Sequence, residues 1–443
     1  MKNKKNISIL FNKNNILLIL FFVCVLARLG LWHLSRVAYV IIIILNYNKR
    51  NRYLPAVNKS KYIWAYFLII GISILTTLFS IALGRITDIK PFYREVPCLF
   101  ILLGYATYIL LRSQEVKTFY VSLRNLSFIL TIFGFFEHLH GYNMLLGIMN
   151  VPQDELNGLV GNGRIFSIFG HAIAYGSFLI ISLVILIAYP YKNIFFTVFH
   201  GGLIIINIIY THERTAIFAF AFLVVILIIS RIITTLSSRN LKNVITTRDI
   251  KRGILVIAIS IPVLITILRN HAIIDYLSRY FSYLNTLFDI KTNAIRYDAI
   301  LRYVQYLREG NILSILFGNG VGYVLEYIQL YPLHGWWTKS PDNQYVSILF
   351  DYGVVGFCFI SLTIIRAWRM ILMYYRQKIY KEVFVSAAIY ILISVSIISF
   401  NGLDWPAFYM LYVVTFLNII KSKEKSKSII HKTNSNSQQI VLQ

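Results

Sequence analysis

The feature that most constrains this chain is a series of apolar runs, each close to the length of a helix that crosses a bilayer. The runs at 63–83, 168–188 and 384–398 contain no Lys, Arg, Asp or Glu and show no alternation of polar and apolar residues. A spanning helix needs roughly 20 apolar residues, and only helices or closed barrels pair every backbone N–H and C=O group in lipid. Since the strands of a barrel would alternate, the runs predict an all-α, polytopic integral membrane protein.

The composition is that of a membrane protein, and the apolar runs predict about twelve transmembrane helices. Hydrophobic residues make up 57% of the chain and charged residues only 14%, whereas soluble domains carry about 25% charged residues. No small-residue cleavage site follows the first run, so we expect it to be retained as a signal anchor. The predicted spans are 15–30, 32–46, 63–84, 96–112, 119–137, 167–189, 194–210, 216–236, 254–268, 343–365, 384–400 and 407–420.

The positive charge of the chain lies mostly between alternate spans. The formal net charge is +25, and a cytoplasmic N-terminus would place 28 of the 43 Lys and Arg residues in cytoplasmic segments. That distribution follows the positive-inside rule, with anionic lipid of the inner leaflet as its natural partner. The basicity therefore predicts cytoplasmic N- and C-termini and does not indicate a nucleic-acid partner.

This topology divides the chain into four parts. Residues 1–268 form an N-terminal bundle of about nine spans, and 269–342 form a large extracytoplasmic loop subdomain. Residues 343–420 form the C-terminal transmembrane helices, and the basic, polar tail 421–443 is expected to be disordered and cytoplasmic. Within the loop, 293–309 predicts an amphipathic helix, whose apolar stripe would lie on the membrane or cap the bundle. The stripe consists of Tyr297, Leu301, Val304 and Leu307.

A short polar segment, THERT at 211–215, separates two apolar runs on the predicted outer face. The segment predicts a tight turn between two spans, and a solvated turn alone would explain His212. Arg214 is different, because it stands where lipid headgroups and any lipid-linked substrate must pass. A guanidinium group makes two-pronged contacts to phosphate, and a charge near lipid is usually retained for function.

Two further outer-face arginines accompany this turn. Arg164 opens the span at 167–189, with His171 two turns further along; on one helix, residues 164, 168 and 171 would share a face. His171 can be read either as a substrate contact or as a hydrogen-bonded core imidazole. Arg296 lies on the loop helix.

The end of the long loop carries a third group of polar and aromatic residues. Glycines 318, 320 and 322 resemble a phosphate-binding pattern, but no Rossmann strand precedes them, so they predict a turn that lines a cavity. Trp336 and Trp337 suit either an interfacial belt or a sugar-stacking platform. Asp342, which follows His334 by eight residues, can be read as a catalytic group or as an N-cap for the next span.

Taken in this order, these segments resemble the O-antigen ligase and O-antigen polymerase family of membrane glycosyltransferases. The resemblance covers about residues 160–365. The family pattern has an Arg and a Gly at the start of a mid-chain span, a T-x-S-R hairpin, and a long external loop with an early Arg, a G-x-G and a polar-Asn pair. The matching residues are Arg164, Gly170, Thr211 to Arg214, Arg296, FGNGVG and Asp342-Asn343.

The resemblance implies metal-independent transfer of a glycan from a polyprenyl-diphosphate donor at the outer face of the bacterial cytoplasmic membrane, without a cofactor. Ligases typically have His-Asn where this chain has Asp342-Asn343, which favours the polymerase branch. The implied partners are the polyprenyl-diphosphate-linked oligosaccharide and the lipid bilayer, together with a chain-length regulator and a flippase of the same pathway.

Individual roles follow from the same resemblance and from the chemistry of the transfer. A clamp of guanidinium groups would hold the diphosphate and its developing charge, and the acceptor hydroxyl needs a general base. The clamp would consist of Arg164, Arg214 and Arg296; His334 and Asp342 are the candidate bases; and the further expected substrate contacts are His171, Thr211, Trp336, Trp337 and Asn343.

Two other functions stay open at this point. A ligase would move a finished glycan to a lipid or protein acceptor. A polysaccharide transporter or flippase would move lipid-linked sugar without forming a bond; such proteins commonly contain internal repeats, and we find none between the two halves of this chain.

Overall fold

The computed structural model describes residues 16–27, 31–47, 60–113, 115–143, 164–237, 294–333, 341–376, 379–398 and 400–421. Within these ranges the secondary structure is helical, which confirms the all-α prediction. The principal helices are α1 (Ile16–Leu26), α2 (Trp32–Tyr47), α3 (Lys61–Ala82), α4 (Lys90–Leu111), α5 (Val116–His140), α6 (Ala172–Ala188), α7 (Ile194–Thr211), α8 (Arg214–Ser237), α9 (Ala294–Glu309), α10 (Ile312–Phe317), α11 (Tyr323–Leu330), α12 (Gln344–Tyr375), α13 (Lys381–Ser396) and α14 (Pro406–Lys421).

Six of these helices are long and apolar enough to cross a bilayer: α3, α4, α5, α7, α8 and α12. Helices α1, α2, α6, α13 and α14 are shorter and also coincide with predicted spans. The predicted span 254–268 lies outside the described residues. Large apolar side chains such as Trp64, Phe67 and Phe79 on α3 are exposed, as expected for a surface that meets lipid. The chain is therefore a multi-pass membrane protein.

Two compact units make up the chain: residues 1–123 with 298–443, called here the first unit, and 124–297, the second unit. In the first unit α13 is buried along nearly its whole length and packs beside α12. In the second unit α6 packs against both α7 and α8.

Two helices of the first unit depart from regular geometry for identifiable reasons. Residues Arg94–Leu103 of α4 are π-helical and contain Pro97; proline has no N–H and its ring clashes with the preceding turn, so the helix widens there. Helix α12 breaks at Gly353, whose φ of 66° lies in the left-handed region. A Cβ at Gly353 would lie 2.4 Å from the Leu316 carbonyl oxygen, so only glycine allows this close approach.

The helix predicted at 293–309 is present as α9, but its buried side differs from the predicted stripe. Tyr303 and Tyr306 are buried in the first unit. The four stripe residues, Tyr297, Leu301, Val304 and Leu307, are exposed in the described chain. An exposed apolar stripe fits a helix that lies on a membrane, the first of the two positions expected for it.

Candidate functional site

The polar segment THERT forms a connection of two residues between α7 and α8. Thr211 ends α7, and its hydroxyl donates to the Ile208 carbonyl oxygen at 2.7 Å and accepts from the Glu213 N–H at 3.3 Å. His212 follows with φ 54° and ψ 29°, a left-handed conformation that few residues other than glycine adopt. The predicted tight turn is thus present, and the side chain of Thr211 stabilises it from within.

Arg164 contacts this turn directly. Its Nε donates to the Thr211 carbonyl oxygen at 3.0 Å, and its Nη2 forms an ion pair with Glu213 Oε1. The backbones of the two segments are also in contact, since the Ile165 N–H donates to the Tyr210 carbonyl oxygen at 3.2 Å. The Glu213 side chain is 7% exposed and that of Arg164 is 30% exposed. The carboxylate is therefore enclosed, while the Arg164 side chain remains partly exposed.

The segment that carries Arg164 is held by Glu137 near the end of α5. The Glu137 carboxylate accepts from the Phe166 N–H at 3.2 Å and from the Ser167 N–H at 2.7 Å. Asn143 Nδ2 donates to the Ser167 carbonyl oxygen at 2.7 Å. Residues 166 and 167 are not α-helical, so their N–H and C=O groups lack the partners that a helix supplies. These three hydrogen bonds provide partners and allow the segment to be buried.

The prediction that residues 164, 168 and 171 share one helix face is wrong. Residues 167–169 form a single 3-10 turn, Gly170 has a left-handed φ of 68°, and α6 begins only at Ala172. His171 is the N-cap of α6, where its Nδ1 accepts from the Ile173 N–H at 3.1 Å. The imidazole thus has a structural partner at the start of the helix and does not lie two turns inside it.

Two imidazoles lie close to the Arg164–Glu213 pair. The His138 ring stacks on the Tyr210 ring, with centroids 3.5 Å apart and an angle of 12°. Partial burial lowers the pKa of His212 below its usual value, and the positive charges of Arg164 and His138 lower it further. At neutral pH His212 is therefore mostly uncharged, and the polar group at this end of the second unit consists of guanidinium, carboxylate and neutral imidazole.

Small residues beneath this polar group allow the helices to approach. A Cβ at Gly176 on α6 would lie 3.1 Å from the Glu213 Cβ. A Cβ at Gly134 on α5 would lie 2.3 Å from Asn207 Oδ1, the atom that accepts from the Tyr175 hydroxyl at 3.0 Å. Larger residues at either position would displace the turn or the hydrogen bonds below it.

In the first unit, the glycine-rich turn at 318–322 is part of the packed interior. The Gly322 and Val324 N–H groups donate to the two carboxylate oxygens of Asp351 at 3.1 and 2.9 Å. The Val321 N–H donates to Thr77 Oγ1 at 2.9 Å. Because these N–H groups already bind side chains of α3 and α12, the turn does not present them to a phosphate. That it lines a cavity stays a prediction.

The start of α12 resolves the two interpretations of Asp342 in part. The N-cap is Asn343, whose Oδ1 accepts from the Tyr345 and Val346 N–H groups at 3.0 and 3.3 Å. Asp342 precedes it with an exposed side chain and φ 46°. Asp342 is thus not the cap, and Asn343 has a structural role that the sequence reading had assigned to its neighbour.

Of the remaining predicted site residues, the structure gives the helix positions of two arginines. Arg214 is the first residue of α8 and follows Glu213 directly. Arg296 lies in the first turn of α9. His334, Trp336 and Trp337 lie outside the described residues. The structure therefore brings Arg164 to the turn that precedes Arg214, whereas the convergence of Arg296 and of the candidate bases with that pair stays a prediction.

Glu137, His138 and Glu213 were not singled out from the sequence as parts of the site. The available signal was the presence of carboxylates at the ends of apolar runs, where a buried charge requires a partner. Among the residues that the structure describes, no group of three or more His, Cys, Asp or Glu side chains is placed to hold a metal ion.

Comparison of the chain with models of known protein families gave no match, and comparison with curated proteins gave none either.

Proposed function

We propose that this protein is a membrane glycosyltransferase that polymerises polyprenyl-diphosphate-linked oligosaccharide repeat units at the outer face of the cytoplasmic membrane. The observation that carries the proposal is the contact between Arg164 and the 211–213 turn. Two of the three cationic segments expected for a diphosphate clamp meet at this point, although 47 residues separate Arg164 from Thr211.

The chemistry required of such an enzyme is modest. A diphosphate is a good leaving group, so the protein has to hold it, stabilise the negative charge that develops on it, and remove one proton from an acceptor hydroxyl. Arginine suits the first two tasks because its planar fork matches phosphate oxygens. Arg164, Arg214 and Arg296 would supply these groups, and His334 or Asp342 would accept the proton.

Glu213 gives this clamp a built-in orienting partner. An arginine side chain loses rotamer entropy when it is fixed on a ligand, and a group fixed beforehand avoids that loss during binding. Glu213 and the Thr211 carbonyl oxygen hold the Arg164 guanidinium from one side. The carboxylate also offsets one positive charge, so diphosphate binding would depend on the additional charges of Arg214 and Arg296.

The glycan profile of a deletion strain tests the reaction. Loss of a polymerase leaves single repeat units on the final acceptor, and this is the result we expect. Long chains that accumulate on the lipid carrier would instead identify a ligase. Purified protein that moves lipid-linked sugar across vesicles without forming glycosidic bonds would identify a transporter.

Variants of the turn test the site. Arg214→Ala should abolish chain extension while the protein still inserts in the membrane, and Arg214→Lys should restore little, because a point charge cannot make the two-pronged contact. His212→Ala is the matched control in the same turn and should extend chains nearly normally. Equal tolerance of the Arg214 and His212 changes would reduce the turn to a connector between helices.

A further inference from the structure

Five aromatic side chains form a cluster in the first unit, called here the tyrosine cluster: Tyr303, Tyr306, Tyr323, Tyr327 and Phe350. Phe350 of α12 is central, with ring centroids 5.1 Å from Tyr303 and Tyr306 of α9 and 4.9 Å from Tyr327 of α11. Tyr323 completes the group at 6.5 Å from Phe350. Three helices thus bring their aromatic residues to one place.

Two hydroxyl groups in this cluster are buried and have no hydrogen-bond partner among the described residues, namely those of Tyr303 and Tyr327. These residues are only 8% and 6% exposed. Tyr306 differs, because its hydroxyl accepts from Asn319 Nδ2 at 2.6 Å. Buried hydroxyls in folded proteins almost always have a partner, and phenylalanine would fill the same space without needing one. Tyrosine at both positions therefore leaves two hydroxyls for an ordered water molecule or a polar ligand to satisfy.

A chain of polar side chains on α9 borders the cluster. Arg302 Nη1 donates to Gln305 Oε1 at 3.0 Å, and Gln305 Nε2 donates to Glu309 Oε1 at 3.2 Å. Burial raises the pKa of Tyr327, the negative charge of Glu309 raises it further, and Arg302 lowers it. Both ends of the polar chain are thus within electrostatic reach of the Tyr327 hydroxyl.

This combination of groups selects among ligand classes. A lipid tail would leave the two hydroxyls without partners, and a phosphate would meet the carboxylate of Glu309 as well as Arg302. A sugar ring satisfies all of the groups, because its C–H face packs on aromatic rings while its hydroxyls both donate and accept hydrogen bonds.

We propose that the tyrosine cluster, with Arg302, Gln305 and Glu309 at its border, binds a sugar ring of the acceptor repeat unit. This inference rests on the proposed polymerase function. The acceptor is favoured over the donor because Asp342, a candidate base, lies just before α12, and Phe350 lies in the first two turns of that helix. The helical part of the separation, from Gln344 to Phe350, is about 9 Å along the helix axis, a distance that an oligosaccharide of a few rings covers.

The test uses the oligosaccharide repeat unit released from the surface glycan of the host, with no lipid or diphosphate attached, and the full-length protein in detergent. Calorimetry would give its dissociation constant for the native chain, Tyr303→Phe, Tyr327→Phe and the double variant. A lost hydrogen bond of ordinary strength weakens binding about 3–10-fold, so the double variant should bind about 10–100-fold more weakly. Thermal stability should stay equal or rise, since each change removes a buried polar group.

Tyr120→Phe is the matched control, because Tyr120 lies outside the cluster and its buried hydroxyl has an internal partner, the Ser386 hydroxyl at 2.7 Å. It should lower thermal stability and leave sugar affinity within about twofold of the native value. The inference is overturned if the native chain does not bind the oligosaccharide, if the double Tyr→Phe variant binds it equally well, or if that variant is clearly less stable, which would reveal internal partners.

The binding assay involves no donor and no transfer, so the two proposals can fail separately. Hydroxyl-dependent sugar binding in a protein whose deletion leaves chain length unchanged would support the site and reject the polymerase function. Loss of chain extension on deletion, with sugar affinity unaffected by both Tyr→Phe changes, would support the polymerase function and reject the site.

Discussion

Replacement of Glu213 by Gln should destabilise the protein and impair chain extension, because it leaves Arg164 without its counter-ion. Removing one partner of a fully buried ion pair costs about 3–5 kcal/mol, whereas an exposed pair contributes about 0.2–1 kcal/mol. The Glu213 side chain is 7% exposed and that of Arg164 is 30% exposed. This pair lies between the two limits, so we expect a loss of about 1–3 kcal/mol in the free energy of unfolding. The hydrogen bond from Arg164 to the Thr211 carbonyl oxygen would remain.

A double-mutant cycle separates the ion pair from the chemistry. The free energy of unfolding would be measured in detergent for Glu213→Gln, Arg164→Gln and the combination of both. Because the two side chains are in contact, the double variant should lose less stability than the sum of the single changes. A fourth protein, with Arg164→Glu and Glu213→Arg together, restores opposite charges in reversed positions. It should recover part of the stability and none of the chain extension, since a carboxylate would then face the diphosphate.

Two results would refute this reasoning. Strict additivity of the two single changes would mean that the side chains do not stabilise each other. Normal chain length in the charge-reversed protein would mean that the guanidinium group at 164 takes no part in holding the donor, and the proposed clamp would fail with it.

Three further predictions concern the packed turn of the first unit and the hairpin of the second. Gly318→Ala should cost about 2–5 kcal/mol in unfolding free energy, because a Cβ there would lie 2.2 Å from the Asp351 carbonyl oxygen and φ is 79°; a stability within about 0.5 kcal/mol of the native value would contradict the close approach. Asp351→Asn should cost about 1–3 kcal/mol in unfolding free energy, because the amide has only one oxygen for the Gly322 and Val324 N–H groups, which now bind one carboxylate oxygen each. Unchanged thermal unfolding would argue against these two hydrogen bonds. The lowered pKa of His212 means that the unfolded chain binds more protons just below the usual pKa of about 6.5, so stability should fall as pH drops through that range. His212→Asn, which suits a left-handed turn, should remove that part of the pH dependence, and identical stability curves for the two proteins between pH 7.5 and 5.5 would reject it.

The helices could be predicted because each apolar run satisfies its own backbone. Hydrogen bonding within a helix is local, so a run such as 194–210 specifies α7 almost to the residue without knowledge of its neighbours. The buried segment at 165–167 could not be predicted in this way. Its N–H groups bind Glu137, which lies about 30 residues earlier in the chain, and no local pattern reports such a contact.

The sequence also could not predict which side of α9 is buried. In water the more apolar side of a helix packs inward, and that rule singles out the stripe with Leu301 and Val304. Beside a membrane the apolar side can face lipid, so a more polar face is free to pack inside the protein. Here that face carries Tyr303 and Tyr306, whose rings pack well and whose hydroxyls require partners.

The candidate site shows the same division between local and distant information. The turn at 211–213 could be predicted from the sequence, because a short polar segment between two apolar runs is typical of a connection between helices. The pairing of Arg164 with Glu213 was not readable, since it depends on how α6, α7 and the preceding segment pack. The N-cap of α12 was misassigned by one residue, from Asn343 to Asp342, because both residue types serve as caps.

The break at Gly353 lies inside the predicted span 343–365, where lipid cannot hydrogen-bond the backbone groups that a broken helix leaves open. Gly353 is buried, and a Cβ there would lie 2.4 Å from the Leu316 carbonyl oxygen and 2.5 Å from the Gly318 nitrogen. The end of α10 and the glycine-rich turn therefore cover the break with protein, so that an interrupted helix can be kept at membrane depth.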